Sequence, residues 1–68
     1  MLGQVKWFSE KKGWGFVTGD NNLDYFLHFS AILMSGYKTL EDGQRVEFDA
    51  DKTDRGLSAI NVVPVETE

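Results

Sequence analysis

The stretch "KKGWGFVTGD" at residues 11–20 sets two large aromatic residues, Trp14 and Phe16, at alternate positions directly after two lysines. Alternate residues of a β-strand point to the same face of a sheet. The stretch therefore predicts a strand with an aromatic pair on one face. A turn follows at "GDNN" (residues 19–22), whose residues tolerate left-handed backbone. The aromatic face is either core or a surface for a ligand, and the rest of the chain must decide between the two.

Four further β-prone stretches accompany this one, with turn signals between them. The five predicted strands are residues 4–8, 13–18, 24–29, 44–50 and 57–65. A longer connection precedes the fourth strand, and we expect one helical turn at its start. No segment has an apolar period of helical length. The sequence therefore predicts an all-β fold, a small five-stranded antiparallel barrel, because a sandwich usually needs about seven strands.

Strand alternation assigns an inner and an outer face to this barrel. The residues expected inside are Val5, Val17, Tyr25, Leu27, Ile32, Val46, Phe48, Ile60 and Val62. Four residues are left on the outer face of the second and third strands: Trp14, Phe16, Phe26 and His28. Gly13 and Gly15 are expected at inward positions, where a missing side chain lets a small barrel curl tightly. Trp7 and Phe8 are consecutive, so both can point outward only if a β-bulge intervenes.

Charge is distributed unevenly along the chain. The formal net charge is −4, which by itself opposes a nucleic-acid ligand. Residues 1–16 carry three lysines and one glutamate, a sum of +2, whereas residues 17–68 carry four cations and ten acids, a sum of −6. The positive excess therefore shares its segment with four of the aromatic residues. The acidic remainder fits a solvated surface that keeps the protein soluble.

Composition excludes several classes of protein. With no cysteine and one histidine, the chain offers no disulfide and no thiolate metal site. Its carboxylates show no recognisable ligand spacing, so we expect neither a metal nor a cofactor. No apolar run approaches the length of a membrane span, and the N-terminal residues have no signal-peptide core. A cytoplasmic protein is the expectation.

An enzyme is considered because Asp24, His28 and Ser30 fall four and two residues apart on one stretch. Residues on one strand face stand about 7 Å apart per step, too far for a hydrogen-bonded relay without a special bend. No signature of a nucleophile elbow accompanies them. We therefore do not expect catalysis.

Two kinds of ligand fit an outward aromatic face. Nucleobases stack on aromatic rings with about 1–3 kcal/mol per base, and Lys6, Lys11 and Lys12 lie close enough in sequence to reach phosphates. This reading favours unpaired strands, because a duplex hides the faces of its bases. The alternative is a protein-interaction barrel, in which the same rings dock a peptide or a second copy of the chain. The lysines favour nucleic acid.

Four motifs give the chain a family resemblance. They are "VKWF" (5–8), "KGWGFV" (12–17), "FLHFSAI" (26–32) and "GYKTLEDGQRVEF" (36–48). In this order, and with this length, they resemble the bacterial cold-shock proteins over essentially the whole chain. The resemblance implies a single cold-shock domain over residues 1–68, with a barrel of the oligonucleotide-binding type. It also implies binding of single-stranded RNA or DNA by an RNA chaperone that acts on transcription or translation.

Position-by-position matching implies which residues bind. They are Lys6, Trp7, Lys12, Trp14, Phe16, Asp24, Phe26, His28, Phe29, Tyr37 and Arg55. Trp14 departs from the usual phenylalanine or tyrosine, and its larger ring should be tolerated. Leu57 stands where a proline often packs on a base, so that contact is not carried over. Tyr25 takes an inward position that is usually small and aliphatic, and its hydroxyl needs a partner. A monomer is expected, and a dimer stays open.

Overall fold

The protein folds into the small five-stranded barrel that the sequence predicts. A computed structural model describes residues 1–33 and 40–65. Its strands are β1 (Leu2–Ser9), β2 (Trp14–Gly19), β3 (Asp24–His28), β4 (Arg45–Thr53) and β5 (Gly56–Pro64). The expected helical turn is a 3₁₀ turn at Phe29–Ala31. The strands close into a barrel in the order β1-β2-β3-β5-β4.

One strand pair departs from the predicted antiparallel arrangement. Four pairs are antiparallel, but β3 and β5 run parallel where Phe26 lies beside Ser58. The reason is geometric: strand directions cannot alternate all the way around a closed ring with an odd number of strands. A five-stranded closed barrel must therefore contain at least one parallel pair, and here it closes the sheet beside the 3₁₀ turn.

The core confirms most of the inward assignments. The buried hydrophobic residues are Val5, Val17, Tyr25, Leu27, Ile32, Leu40, Val46, Phe48, Ala59 and Val62. The rings of Tyr25 and Phe48 meet edge to face at 5.0 Å between centroids. The Tyr25 hydroxyl accepts a hydrogen bond of 2.9 Å from the Asn21 side-chain amide, which supplies the partner that an inward tyrosine needs.

The inward assignment of Ile60 is wrong. Ile60 is 37% exposed, whereas its neighbour Ala59 is buried. The pairing of β4 with β5 shifts register between Glu47 and Asp49, and Asn61 has a positive φ of 51°. An irregularity of this kind inserts one residue into the ladder, so that alternation on its two sides is out of phase. Ala59 and Val62 both point inward as a result.

The two glycines of the opening motif have different roles. Gly15 is buried in β2, and a Cβ built on it would lie 2.6 Å from the Phe8 Cα, so β1 and β2 approach closely only because no side chain intervenes. Gly13 is not at an inward strand position as expected. It lies in the turn before β2 with a φ of 80°, and its N–H donates to the Ser9 carbonyl at 2.7 Å.

Candidate functional site

Six aromatic side chains form one continuous surface, which we call the aromatic platform. Its members are Trp7, Trp14, Phe16, Phe26, His28 and Phe29. Neighbouring ring centroids lie 4.6–6.5 Å apart along this surface. None of the six belongs to the buried core, and Phe26 and Phe29 are 36% and 46% exposed. The four rings expected on the outer face of β2 and β3 therefore lie on that face: Trp14, Phe16, Phe26 and His28.

Strand pairing places the rings of β2 and β3 side by side. Trp14 lies opposite His28, and Phe16 lies opposite Phe26. Directly opposed residues of an antiparallel pair project from the same face within contact distance. The Phe16 and Phe26 rings accordingly meet edge to face at 5.8 Å. The rings of Trp14 and Phe26, which are diagonal neighbours, lie 5.9 Å apart with their planes tilted by 32°. Trp14 and Phe16 are half-buried and Phe26 and His28 are exposed, so all four residues remain accessible to solvent in part.

A bulge in β1 adds Trp7 to the platform. The register of β1 against β2 shifts between Val5 and Trp7, so that Val5 lies opposite Val17 and Trp7 lies opposite Phe16. The shift turns Trp7 outward, 5.1 Å from the Trp14 ring, and turns Phe8 toward the core. A bulge therefore intervenes in β1, but it turns only Trp7 outward and leaves Phe8 packed against the core.

Lys6, at the bulge, is held by an ion pair at the border of the platform. Its ammonium donates to the Asp24 carboxylate at 2.9 Å, and the Thr18 hydroxyl donates to the same carboxylate at 2.8 Å. Both hydrogen bonds lower the pKa of Asp24, and the one from Lys6 has the larger effect. Both partners of the ion pair are well exposed, so the pair adds little stability. It fixes where the charge of Lys6 lies.

Lys12 lies at another point of the border. Its ammonium is 6.0 Å from the centroid of the Trp14 ring, at the outer limit of a cation–π contact. The backbone N–H of Lys12 donates to the Ser9 hydroxyl at 3.1 Å, which fixes the turn before β2. A cation therefore stands beside the ring on which a flat ligand would lie.

His28 and Ser30 approach more closely than strand spacing predicts. The Ser30 Oγ lies 2.8 Å from the His28 Nδ1, and the Ser30 N–H donates to the same nitrogen at 3.3 Å. The 3₁₀ turn supplies the bend, and His28 is its N-cap. The expectation that these two side chains stay apart was wrong. Asp24, in contrast, pairs with Lys6 and Thr18 at the other end of β3, so the three residues form no relay.

The tight turn between β4 and β5 carries Arg55 to the platform. Thr53 pairs with Gly56, which leaves Asp54 and Arg55 at the tip of the hairpin. The tip borders a groove of about 690 Å³, which we call the hairpin groove. Its lining residues are Phe16, Asp24, Phe26, Thr53, Asp54, Arg55, Leu57 and Ser58. The groove thus extends the platform from β2 and β3 toward β5.

Sequence reasoning missed three residues of this groove, Thr53, Asp54 and Ser58, and it considered Leu57 without assigning it to the site. The turn signal at residues 51–56 locates the hairpin, but only the parallel contact between β3 and β5 brings that hairpin beside the platform. Tyr37, also expected to bind, lies outside the described residues. No group of three or more potential metal ligands occurs in residues 1–33 and 40–65. Over the same ranges, no helix has the length and apolar character to cross a membrane.

The chain is therefore an all-β protein whose closed five-stranded barrel carries an aromatic surface on its outer face. Residues 1–65 match the family described as the "'Cold-shock' DNA-binding domain". The protein is a member of this cold-shock domain family, whose members are nucleic-acid-binding proteins rather than enzymes.

Relatives from several bacteria are similar over most of their length. Cold shock protein 1 of Lactiplantibacillus plantarum is 58% identical over 62 residues, which are 91% of this chain and 94% of that protein. The major cold shock protein of Streptococcus pyogenes serotype M6 is 53% identical over 60 residues, 88% and 90% of the two chains. Cold shock-like protein CspC of Bacillus cereus is 54% identical over 63 residues, which are 93% of this chain and 97% of that protein.

A solved structure has the same fold. The chain described as drosophila Unr CSD456 superposes with a TM-score of 0.77 at 21% identity. The match covers 96% of the present chain and 26% of that longer chain. At this identity the likeness concerns the fold alone.

Proposed function

We propose that the protein binds single-stranded RNA or DNA by stacking unpaired bases on the aromatic platform. The observation that carries the proposal is the continuous row of outward rings, which the core does not need for its own packing. Large aromatic side chains at the surface of a small protein indicate a binding site. Every base has a flat face, so stacking tolerates many sequences.

The proposed site consists of the eleven residues assigned from the sequence: Lys6, Trp7, Lys12, Trp14, Phe16, Asp24, Phe26, His28, Phe29, Tyr37 and Arg55. The rings hold bases, and the cations at the border contact the phosphate backbone. A platform of this size accommodates part of the span of about 4–16 nucleotides that one such fold covers. Unpaired strands fit because their base faces are free, whereas stacked pairs in a duplex cover theirs.

The biological consequence proposed is RNA chaperone activity. A protein that binds the open form of a hairpin and not its closed form shifts the equilibrium toward the open form by mass action, without ATP. Melting of structure in messages or nascent transcripts would regulate translation or transcription. We propose that the protein does this as a monomer in the cytoplasm.

A fluorescence titration tests the proposal. Trp7 and Trp14 both belong to the platform, so a single-stranded oligonucleotide of about seven nucleotides should quench their emission on stacking. The same strand annealed to its complement, and a proline-rich peptide, serve as controls. Quenching by the peptide and not by the oligonucleotide would instead support a protein-interaction barrel. Equal quenching by the duplex would contradict the requirement for unpaired bases.

A further inference from the structure

The outer surface of β1, β4 and β5 carries exposed apolar side chains among acidic ones. Leu2, Leu33 and Ile60 are 41%, 53% and 37% exposed, and Val63 is half-buried. Single exposed apolar residues are ordinary at a protein surface, whereas a contiguous group indicates a contact site. The strand register decides whether these four residues are scattered or contiguous.

The register places three of the apolar residues in one row. Leu2 lies opposite Glu47, and Glu47 lies opposite Val63, so the row crosses β1, β4 and β5. Leu33 extends it on the far side of β5, because its N–H donates to the Val62 carbonyl at 2.7 Å. Directly opposed residues of neighbouring strands have their side chains within contact distance. The row is therefore continuous, with one carboxylate in its middle.

A second row adds Ile60. This residue lies opposite Asp49, one outward step along β4 from Glu47. The register shift between the two strands lets Ile60 and Val63 both point outward although they are three positions apart. The Asn61 side-chain amide donates to the Asp49 carboxylate at 3.0 Å and holds it beside Ile60. We call these two rows the acidic face, which consists of Leu2, Leu33, Glu47, Asp49, Ile60 and Val63.

The charge of the acidic face is negative and not neutralised by its surroundings. Glu47 makes no hydrogen bond or ion pair with any residue in the ranges 1–33 and 40–65. The cation at the start of β4, Arg45, is held by two hydrogen bonds to Asp20 at 3.0 and 3.3 Å. Lys52 lies near the hairpin end of β4, away from both rows. The face therefore complements a ligand with apolar and cationic groups together.

This charge argues against three other occupants. A nucleic acid and an anionic membrane would both be repelled by the carboxylates. A second copy of the chain would have to present the same surface, because a two-fold contact joins identical patches. Glu47 and Asp49 of the two copies would then lie close together, and like charges at an interface are costly. A polypeptide that carries lysine or arginine between apolar residues has the complementary chemistry.

We propose that the acidic face docks a basic, partly apolar segment of another protein. Glu47 and Asp49 receive its cationic side chains, and Leu33, Ile60 and Val63 pack against its apolar ones. The two carboxylates lie on β4, which pairs with β1 and β5 and with neither β2 nor β3. The aromatic platform therefore stays open while the segment is bound. The inference goes beyond the proposed function and does not depend on it.

A nuclear magnetic resonance titration with a synthetic peptide tests the proposal. The peptide contains lysine, leucine and serine and has about nine residues, so that it extends to about 30 Å. The longest dimension of the protein is 31 Å. We expect saturable shifts of the backbone amide signals of the acidic face, and not of the platform. Peptides with glutamate for lysine, or serine for leucine, should bind at least about threefold more weakly, because each lacks one kind of contact.

Glu47→Lys replaces an attraction by a repulsion and should weaken binding of the lysine peptide by about three- to tenfold. Glu41→Lys is the matched control. It makes the same change of charge at an exposed residue before β4, in a separate cleft that contains no residue of the acidic face. Its effect should stay below about twofold, since the charge lies outside the contact. Both residues are exposed, so both variants should fold.

Four results would overturn the proposal. The peptide could shift no signal of the acidic face, or both variants could lose affinity equally, which would indicate attraction by net charge alone. Shifts of these signals with rising protein concentration and no peptide would identify a second copy as the occupant. Shifts produced there by a single-stranded oligonucleotide would identify nucleic acid. None of these results concerns the platform, so the proposed function is decided separately by its own titration.

Discussion

The outer faces of β1–β3 and of β4 carry opposite chemistry over one shared core. β2 and β3 present Trp14, Phe16 and Phe26, whereas β4 presents Glu47, Asp49 and Asp51. Inward residues from both regions, such as Val17 and Phe48, pack in the same cluster. Alternation, together with the changes of phase at the two register shifts, therefore determines only which positions are buried. The exposed positions are free to form a binding surface on one side and an acidic, solvated surface on the other.

The largest expected effect separates core from platform. Phe48→Ala removes a fully buried ring and should lower the free energy of unfolding by about 3–5 kcal/mol, because the cavity cannot collapse completely. A domain of this size has few kcal/mol in total, so most of the variant should be unfolded. Denaturant unfolding followed by tryptophan emission measures the loss. Near-normal stability would mean that the inner face is assigned wrongly.

The next effect concerns binding rather than folding. Phe26→Ala should weaken binding of a single-stranded oligonucleotide by about 1–3 kcal/mol, the contribution of one stacked base, with less loss of stability than Phe48→Ala. Titration and unfolding of the same preparation give both values. Leu23→Ala is the control, since Leu23 is also exposed, at 48%, but lies in the turn between β2 and β3. A loss of affinity as large in this control would argue against a role specific to the platform.

A smaller effect comes from the charges around the platform. Few cations border it and Lys6 is already paired with Asp24, so we expect binding to release fewer than about four counterions. The slope of log affinity against log salt concentration measures that number. Asp24→Asn should free Lys6 for a phosphate and steepen the slope by about 0.7. A steeper slope in the unmodified protein would show that phosphate contacts, not rings, dominate.

The smallest effect is on stability in acid. Hydrogen bonds and charge from Arg45 lower the pKa of Asp20, as Lys6 and Thr18 lower that of Asp24. A carboxyl group whose pKa is lower in the folded state adds stability above its unfolded pKa of about 3.9, and this stability is lost as the pH falls through the folded value. Asp20→Asn should therefore flatten the decline of stability below about pH 4 without changing the platform. An unaltered acid profile would show that the ion pair contributes nothing measurable.

Sequence patterns predicted the fold and the platform where the chain is regular. Strict alternation in β2 and β3 placed Phe16 and Phe26 outside and Leu27 inside, and turn residues such as Asn22, with a φ of 67°, separated the strands. Prediction failed where a bulge changed the phase, as at Ile60. A one-residue insertion in a ladder depends on the partner strand, and no local pattern in the sequence records it.

The amino-acid sequence by itself determined the all-β barrel and the aromatic platform, because strand periodicity, glycine and turn chemistry are local properties of the chain. Only the tertiary structure decided that Trp7 turns outward while Phe8 turns in, that Ser30 meets His28, and that Asp54 and Arg55 stand beside the rings of β2 and β3. The orientation of Trp7 depends on the register between β1 and β2, and the Ser30–His28 contact depends on the bend of the 3₁₀ turn. The position of Asp54 and Arg55 depends on contact between distant segments, because the barrel closes through the parallel pair of β3 and β5 that an odd number of strands requires.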